Sequence, residues 1–511
     1  MQYIGKRLDY LFRSTRGLAL TAIAVVSIIT AIWGTLSGPM VEWGVRDITV
    51  NTLNMDLVEA EREGRIILLY HTIAMTIIAI EVYFMTEILP MRKHEQTIIN
   101  GTITVGYLTA DIFGLLFAYW GHNFTFHGLF ILGQSLVFFA GILLCAALWP
   151  WKKEYLLPAD SPFAHTKGGV DLERAAFFIM AVSTLISATW GAVTGSFWAN
   201  GHETFLGEDL IRNPHKTYLQ KAIIGHLHIM LTLVAVGITL IVGRWIKFQG
   251  ILHRWAMPIM IAGTITITFG ALSVVWLEWA HNTIYVGSTM VMFSALLYVI
   301  YAWDKQIKDG TAHLKKPNFF QKLGALFSDP LKFGPGWQMV FMNFTVSGVG
   351  IFLAIKLEEI FRVWPHREER ITLTGHWHIL AALIATIILM YFADLSGMKG
   401  KVRKWFGWSL IILSDIAFGS ATIFSMKRLF VDDLNQQGLV NTTMLLMDLG
   451  LGIVLIMLAL FMIWRLYDLV QEKGHWSMEF SQERKLSAQS ELEEQKRKLE
   501  ELNKIIKEES E

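Results

Sequence analysis

The sequence predicts an all-α polytopic membrane protein, on three observations. The chain has 511 residues, of which 53% are apolar and only 17% charged, with 19 Trp and 32 Phe; a water-soluble chain of this length carries more charge. Apolar runs near the roughly 20 residues needed to cross a bilayer recur along it, about twelve in all. Histidine-bearing segments open three of those runs, and short similarities recur four runs apart, which reads as three pseudo-repeated four-helix units.

Span 1, near 18–37, follows Lys6, Arg7, Arg13 and Arg16 and ends on Ala31-Ile32-Trp33-Gly34-Thr35. It shows no convincing cleavage site and reads as a retained span rather than a signal peptide. Span 2, near 66–90, opens on Tyr70-His71-Thr72-Ile73-Ala74-Met75. Span 3, near 98–120, carries Gly101-Thr102-Ile103-Thr104 and ends on Trp120-Gly121-His122-Asn123. Span 4, near 125–149, holds the one cysteine, Cys145. A single cysteine excludes an internal disulfide, a cysteine-ligated iron–sulfur cluster and a CxxCH heme attachment within this chain.

The second unit repeats the first. Span 5, near 174–196, ends on Ala188-Thr189-Trp190-Gly191-Ala192, and span 6, near 220–243, opens on Gly225-His226-Leu227-His228-Ile229-Met230. Span 7, near 256–280, carries Gly263-Thr264-Ile265-Thr266 and ends on Trp279-Ala280-His281-Asn282; span 8 lies near 286–303. The third unit is the most diverged: spans 9 to 12 lie near 338–356, 372–393, 404–426 and 441–467, with Gly375-His376-Trp377-His378-Ile379-Leu380 opening span 10. The units cover about 18–149, 174–303 and 338–467, within one membrane domain of residues 1–470. Residues 471–511 form a charged tail in which Leu492, Leu499, Leu502 and Ile506 fall at heptad-like spacing. It reads as a short cytoplasmic amphipathic helix, solvated or docked on a partner.

Arg92, Lys93, Lys152, Lys153, Arg244, Lys247, Arg254, Lys399, Lys401, Arg403 and Lys404 share one side, while Asp56, Glu59, Glu61, Glu63, Glu203, Glu208, Glu358, Glu359 and Glu368 lie on the other. The excess of Lys and Arg puts both termini in the cytoplasm and the three histidine segments at the outer face. The net charge of +1 says nothing about nucleic acid, but no basic patch is present to grip one, so the bilayer and not a nucleic acid is the expected partner.

A histidine near the end of a span is costly unless it is paired, hydrated or bound to something, so three at equivalent depth suggest a cofactor array. His376 and His378 stand two residues, about 200°, apart on a helix and point into different spaces. His71 and His378 could clamp one low-spin heme, both axial positions filled. His376 could hold a second heme with its far face open, and His226 and His281 could bind a non-heme metal opposite that face. Glu81, Asp111, Asp415 and Asp448 fall within spans, where each must be protonated, paired or in a water path. Proton conduction and helix–helix hydrogen bonding are both open for them.

These residues resemble the central subunit of the heme-copper oxidase superfamily, which includes the nitric oxide reductases, over most of 18–467. Gly375-His376-Trp377-His378 resembles the paired histidines of that family, implying His376 on a high-spin heme and His378 on a low-spin heme. Tyr70-His71-Thr72 resembles the other low-spin ligand motif. Gly225-His226 resembles the first ligand of a non-heme copper or iron. Trp279-Ala280-His281-Asn282, followed by Tyr285-Val286-Gly287, resembles the double-histidine motif. Lys427 and Arg428, at the outer end of span 11, resemble the basic pair that neutralises heme propionates.

The departures fall at one place. Asn282 stands where the family has its third metal histidine, and Asn is a poor ligand beside imidazole. Met230 and Val275 occupy the positions where oxygen reductases carry a tyrosine. The metal-site glutamate of nitric oxide reductases is missing from span 6, with Glu278 and His228 as the nearest substitutes. The resemblance implies a respiratory oxidoreductase of the cell (inner) membrane, part of a multi-subunit complex, with electrons supplied by a cytochrome c-like subunit or a quinol. It would pass them between two hemes to nitric oxide or oxygen. The alternative is a diheme electron-relay subunit with a degenerate metal site. A transporter with histidine proton relays would explain the repeats but not this histidine set.

Overall fold

The computed structural model describes residues 7–36, 41, 43–57, 62–196, 218–432, 435–474 and 476. Among them are twelve helices long and apolar enough to cross a bilayer, and no strand. The chain is an all-α polytopic membrane protein. Spans 1 to 4 are Thr15–Gly34, Gly64–Ile88, Lys93–Tyr119 and Phe124–Leu148. Spans 5 to 8 are Leu172–Gly195, Lys221–Trp245, Ile251–Ser273 and Ala280–Thr311. Spans 9 to 12 are Pro330–Ile355, Ile371–Leu395, Gly400–Ser425 and Gln436–Val470. The heptad-like tail and the outer-loop residues His202, Glu203, Glu208 and His215 lie outside the described residues.

One boundary differs from the one that composition suggests. Span 7 ends at Ser273 and span 8 begins at Ala280, so Trp279-Ala280-His281-Asn282 opens span 8 instead of closing span 7. The matching tetrapeptide upstream does the same: span 3 stops at Tyr119, and the Asn123 side chain accepts the Phe126 N–H at 2.8 Å to cap span 4. A polar cap satisfies N–H groups that a helix start leaves open. Composition misplaced the span 7 boundary because the apolar run continues from Leu272 through Leu277 across the turn.

Every span packs on the next, and span 12 packs on span 1, which closes a ring. The fourth span of each unit meets the first span of the following one, 4 on 5, 8 on 9 and 12 on 1. Spans 2, 6 and 10 are the most buried and form the inner seam, with span 6 in contact with both others. Apolar side chains gain little from leaving lipid for protein, so close backbone approach carries much of this packing. Gly133 of span 4 shows it: a Cβ there would lie 2.3 Å from the Ala110 nitrogen of span 3. Gly287 against Ile267 and Gly450 against Leu413 repeat the arrangement between spans 7 and 8 and between spans 11 and 12.

Arg7 pairs with Glu472, so the two described ends share a face, here called the terminal face. On it each inner span is clamped by an ion pair. Arg16 of span 1 holds Glu87 at 2.7 Å, Arg244 of span 6 holds Glu173 at 2.8 Å, and Arg403 of span 11 holds Asp394 at 2.5 Å. Just inside these pairs, Tyr391 of span 10 meets Phe84 of span 2 and Trp245 of span 6 edge-on, at 4.7 and 5.1 Å between ring centroids. Trp245 also donates to Asp394 at 2.6 Å. The terminal half of the seam is therefore aromatic and closed.

The connection between spans 4 and 5 is latched to the same face. His165 Nε2 lies 2.8 Å from Nδ1 of the fully buried His253, whose ring meets the edges of Phe163 and Phe248. Partial burial, then the nearby Arg254 cation, hold His165 below its ordinary value, against a weaker pull from Asp171. The unfolded chain therefore takes up this proton first as pH falls below about 6.5. The latch contributes its full stability above that pH and loses it as pH drops towards the folded value. Thermal unfolding in detergent should begin at a lower temperature at about pH 5.5 than at about pH 8, and His165→Gln should flatten that slope. An identical slope in the variant would assign the pH response to other groups.

Candidate functional site

The opposite end of the inner seam carries the histidines. His71 of span 2 is half-buried, and its Nδ1 lies 2.8 Å from the Ile67 carbonyl one turn back. A carbonyl only accepts, so Nδ1 carries the proton and Nε2 presents a lone pair. His226 of span 6 is held the same way by another helix: Nδ1 donates to the Ser187 carbonyl of span 5 at 2.8 Å, with Ser187 Oγ at 3.3 Å. The ring fits there because of Gly191, where a Cβ would lie 2.6 Å from His226 Cε1. The two rings lie nearly parallel, 6.4 Å apart between centroids and 16° between planes. A histidine whose Nδ1–H is fixed by a carbonyl has the orientation and basicity of a metal ligand.

His376 of span 10 differs. Its buried Nδ1 makes no hydrogen bond to another span, and the Thr372 carbonyl one turn back on its own helix is within weak reach. Span 9 passes close beside it: a Cβ at Gly350 would touch His376 Cδ2 and Nε2 at 3.4 Å. That stretch of span 9 is wound with π-helical turns at Met342–Gly348 and Leu357–Phe361 on either side of a short α-helix, Val349–Ile355. Such turns insert an extra residue and occur often at functional sites. His228 meets Trp377 edge-on at 5.1 Å between centroids. His378 is exposed, and its Nε2 meets the Tyr70 hydroxyl. His376 and His378 thus have different neighbours, on spans 9 and 2.

His71 lies beside His226, and His378 meets Tyr70. His281 and Asn282 are exposed in the first turn of span 8, and His281 Nδ1 is bonded to the Glu278 carbonyl at 3.0 Å. Glu278 is exposed in the turn before that helix and shares no helical face with His281. No group of three His, Cys, Asp or Glu able to hold a metal is assembled among the described residues. His226 stands on span 6 and His281 and Asn282 on span 8, with the helix break at 274–279 between span 7 and the last two.

The basic pair is also used differently. Arg428 Nε meets Glu368 Oε2, and Lys427 Nζ lies 3.8 Å from the same carboxylate. A protein carboxylate thus meets part of the charge assigned to heme propionates. Glu368 stands two turns before His376 on the same helix, and sequence reasoning counted it only as an outer-face acid.

A row of polar groups, mostly buried, joins the terminal face to this site along spans 2 and 3. Gln96 donates to the Thr86 carbonyl and Thr86 to Asn100 Oδ1, each at 2.9 Å. Tyr83 and Thr104 share a hydrogen bond of 2.6 Å, and the buried Tyr107 hydroxyl beyond them has no partner. Thr76 Oγ lies 2.6 Å from Asp111 Oδ2 and 3.0 Å from the Thr72 carbonyl. Glu81 packs against Gly237 of span 6, with its Oε1 buried and without a partner. Asp415 is a helix-joining group: it accepts from Trp337 at 2.6 Å and from Gln338 at 2.9 Å.

Sequence reasoning missed Tyr70 as a neighbour of His378, and Ser187, Gly191 and Gly350 as shapers of the histidine pockets. The repeated Trp-Gly at 33–34 and 190–191 was the available signal for Gly191. The fold and this histidine-lined seam define the class, a polytopic all-α membrane protein with candidate ligands at one end of its three inner helices. No family model, curated protein or solved structure matches the chain.

Proposed function

We propose that the chain is a heme-binding subunit of a respiratory membrane oxidoreductase, resembling the central subunit of heme-copper oxidases and nitric oxide reductases. In this reading it passes electrons from a low-spin to a high-spin heme to reduce nitric oxide or oxygen. One observation carries it: His71, His226 and His376 stand at the same end of the three innermost spans, and carbonyls fix the first two with their Nε2 lone pairs available. Bound heme iron would supply one-electron transfer and, at an open axial position, gas binding. His376 would hold the second iron, in a pocket that Gly350 of span 9 lines.

The chain's own groups supply the rest. Glu368 holds Lys427 and Arg428 at the mouth of the site. The polar row ending at Asp111 supports proton delivery from the terminal face, which the Lys and Arg excess makes cytoplasmic. Electrons enter from a cytochrome c-like subunit or a quinol, in the cell (inner) membrane. The exposure of His281 favours a second reading, a diheme relay without a non-heme metal, in which His226 or His228 caps the second heme.

The test is to purify the protein, count hemes and non-heme metal per chain, and record reduced spectra with and without carbon monoxide. The proposal expects about two hemes, one of them shifted by carbon monoxide. Two hemes indifferent to carbon monoxide would select the relay. A heme-free, correctly assembled protein would overturn both.

A further inference from the structure

We infer that a groove on the lipid-facing side of spans 7 and 8 is a binding site for one anionic phospholipid. Ile251, Trp255, Pro258, Ile259, Ala262 and Met290, with Arg254 at its rim, line an open groove of about 510 Å³. That volume lies in the range of pockets that hold extended organic ligands. Ile251, Arg254, Trp255 and Pro258 are exposed, and they lie in the first turns of span 7, where a helix beginning at the terminal face enters the bilayer. The apolar wall runs deeper, to Ala262 on span 7 and Met290 on span 8. An acyl chain therefore has a track to follow from the interface towards the midplane.

The rim decides which lipid. Among the described residues no carboxylate lies within ion-pair distance of Arg254, so its guanidinium is available to an outside anion. A guanidinium binds phosphate through two parallel N–H donors. Pro258 carries no N–H, so the Arg254 carbonyl loses its usual donor four residues on and remains an acceptor beside the guanidinium. A headgroup offering net negative charge and a hydroxyl, as in phosphatidylglycerol, complements both. A zwitterionic headgroup brings its own cation to the guanidinium and gains less. The groove has no other charged group, so it lacks the proton acceptor that quinol oxidation would need. Trp255, exposed at the same level, has the amphipathic ring favoured at the membrane interface.

The site is tested on the full chain in nanodiscs of phosphatidylcholine containing a minor fraction of phosphatidylglycerol. Spin-labelled lipids report immobilisation, and native mass spectrometry reports lipid retained per chain. Wild-type protein should retain one phosphatidylglycerol in preference to phosphatidylcholine. Arg254→Gln should weaken that retention roughly fivefold to tenfold, as expected for one interfacial cation. Ala262→Trp, which fills the groove and keeps the cation, should abolish it. Lys401→Gln, an exposed terminal-face cation at the start of span 11, should change nothing. Equal retention of the two lipids by wild type, or equal losses in Arg254→Gln and Lys401→Gln, would overturn the proposal. The wild-type comparison decides alone should a variant not assemble, and it is independent of heme content.

Discussion

Replacing His376 with alanine should leave the protein folded and remove one cofactor. Its buried Nδ1 makes no hydrogen bond to another span, so truncation removes at most a weak contact with the Thr372 carbonyl of its own helix. If His376 is the ligand of the open heme, stoichiometry should fall from about two hemes per chain to about one, and the carbon monoxide response should vanish. The melting temperature in detergent should move little. His226→Ala makes the contrast, because it removes the Nδ1 hydrogen bond to the Ser187 carbonyl, worth about 0.5–1.5 kcal/mol, and the ring packed against Gly191. It should therefore lower the melting temperature whether or not it also alters heme content. A His376→Ala protein with two hemes and an unchanged carbon monoxide shift would remove His376 from the ligand set.

Gly133→Val should prevent assembly. A Cβ at Gly133 meets three backbone atoms of span 3, 2.3 Å from the Ala110 nitrogen and 2.8 Å from both the Ala110 Cα and the Gly106 oxygen. Overpacking against side chains costs typically about 1–3 kcal/mol because rotamers give way. Helix backbone cannot, so spans 3 and 4 must separate, and the cost exceeds that range. Gly128→Ala, in the same span, meets nothing within 4 Å and gains up to about 1 kcal/mol from the better helix former. The readout is the yield of monodisperse protein and its melting temperature. A well-behaved Gly133→Val protein with an unaltered melting temperature would contradict the close approach of spans 3 and 4, and with it the position of the polar row on span 3.

The legible and illegible parts of the site separate by residue. His71, His226 and His376 were readable as equivalent because they sit at one register in three similar apolar runs, and the structure puts all three at the same end of the inner seam. That His376 and His378 face different neighbours followed from helical geometry alone. His281 was not readable. Whether it closed span 7 or opened span 8 depended on a turn hidden in a continuous apolar run, and six residues of turn, 274–279, changed its neighbours. Lys427 and Arg428 were readable as an unusual outer basic pair. Their carboxylate, Glu368, was not, since it lies some 60 residues away in sequence. Asp111 and Asp415 looked alike as buried acids. One stands at the end of a polar row with an oxygen left over, and the other is held by two donors across a helix contact.

By itself the sequence determined the number of spans and the end of the helices at which histidines gather. Each depends on composition and periodicity along a single helix, where neighbours in space are neighbours in sequence. Only the tertiary structure decided which histidines share a space, which nitrogen of each is available, and which cations already have a carboxylate. Those depend on groups brought together from different spans: a carbonyl of span 5 against His226, a glycine of span 9 against His376, a tyrosine of span 2 against His378. In a bilayer every long helix satisfies its own backbone, so the chain's local pattern says that a span forms and leaves its partners to side-chain packing.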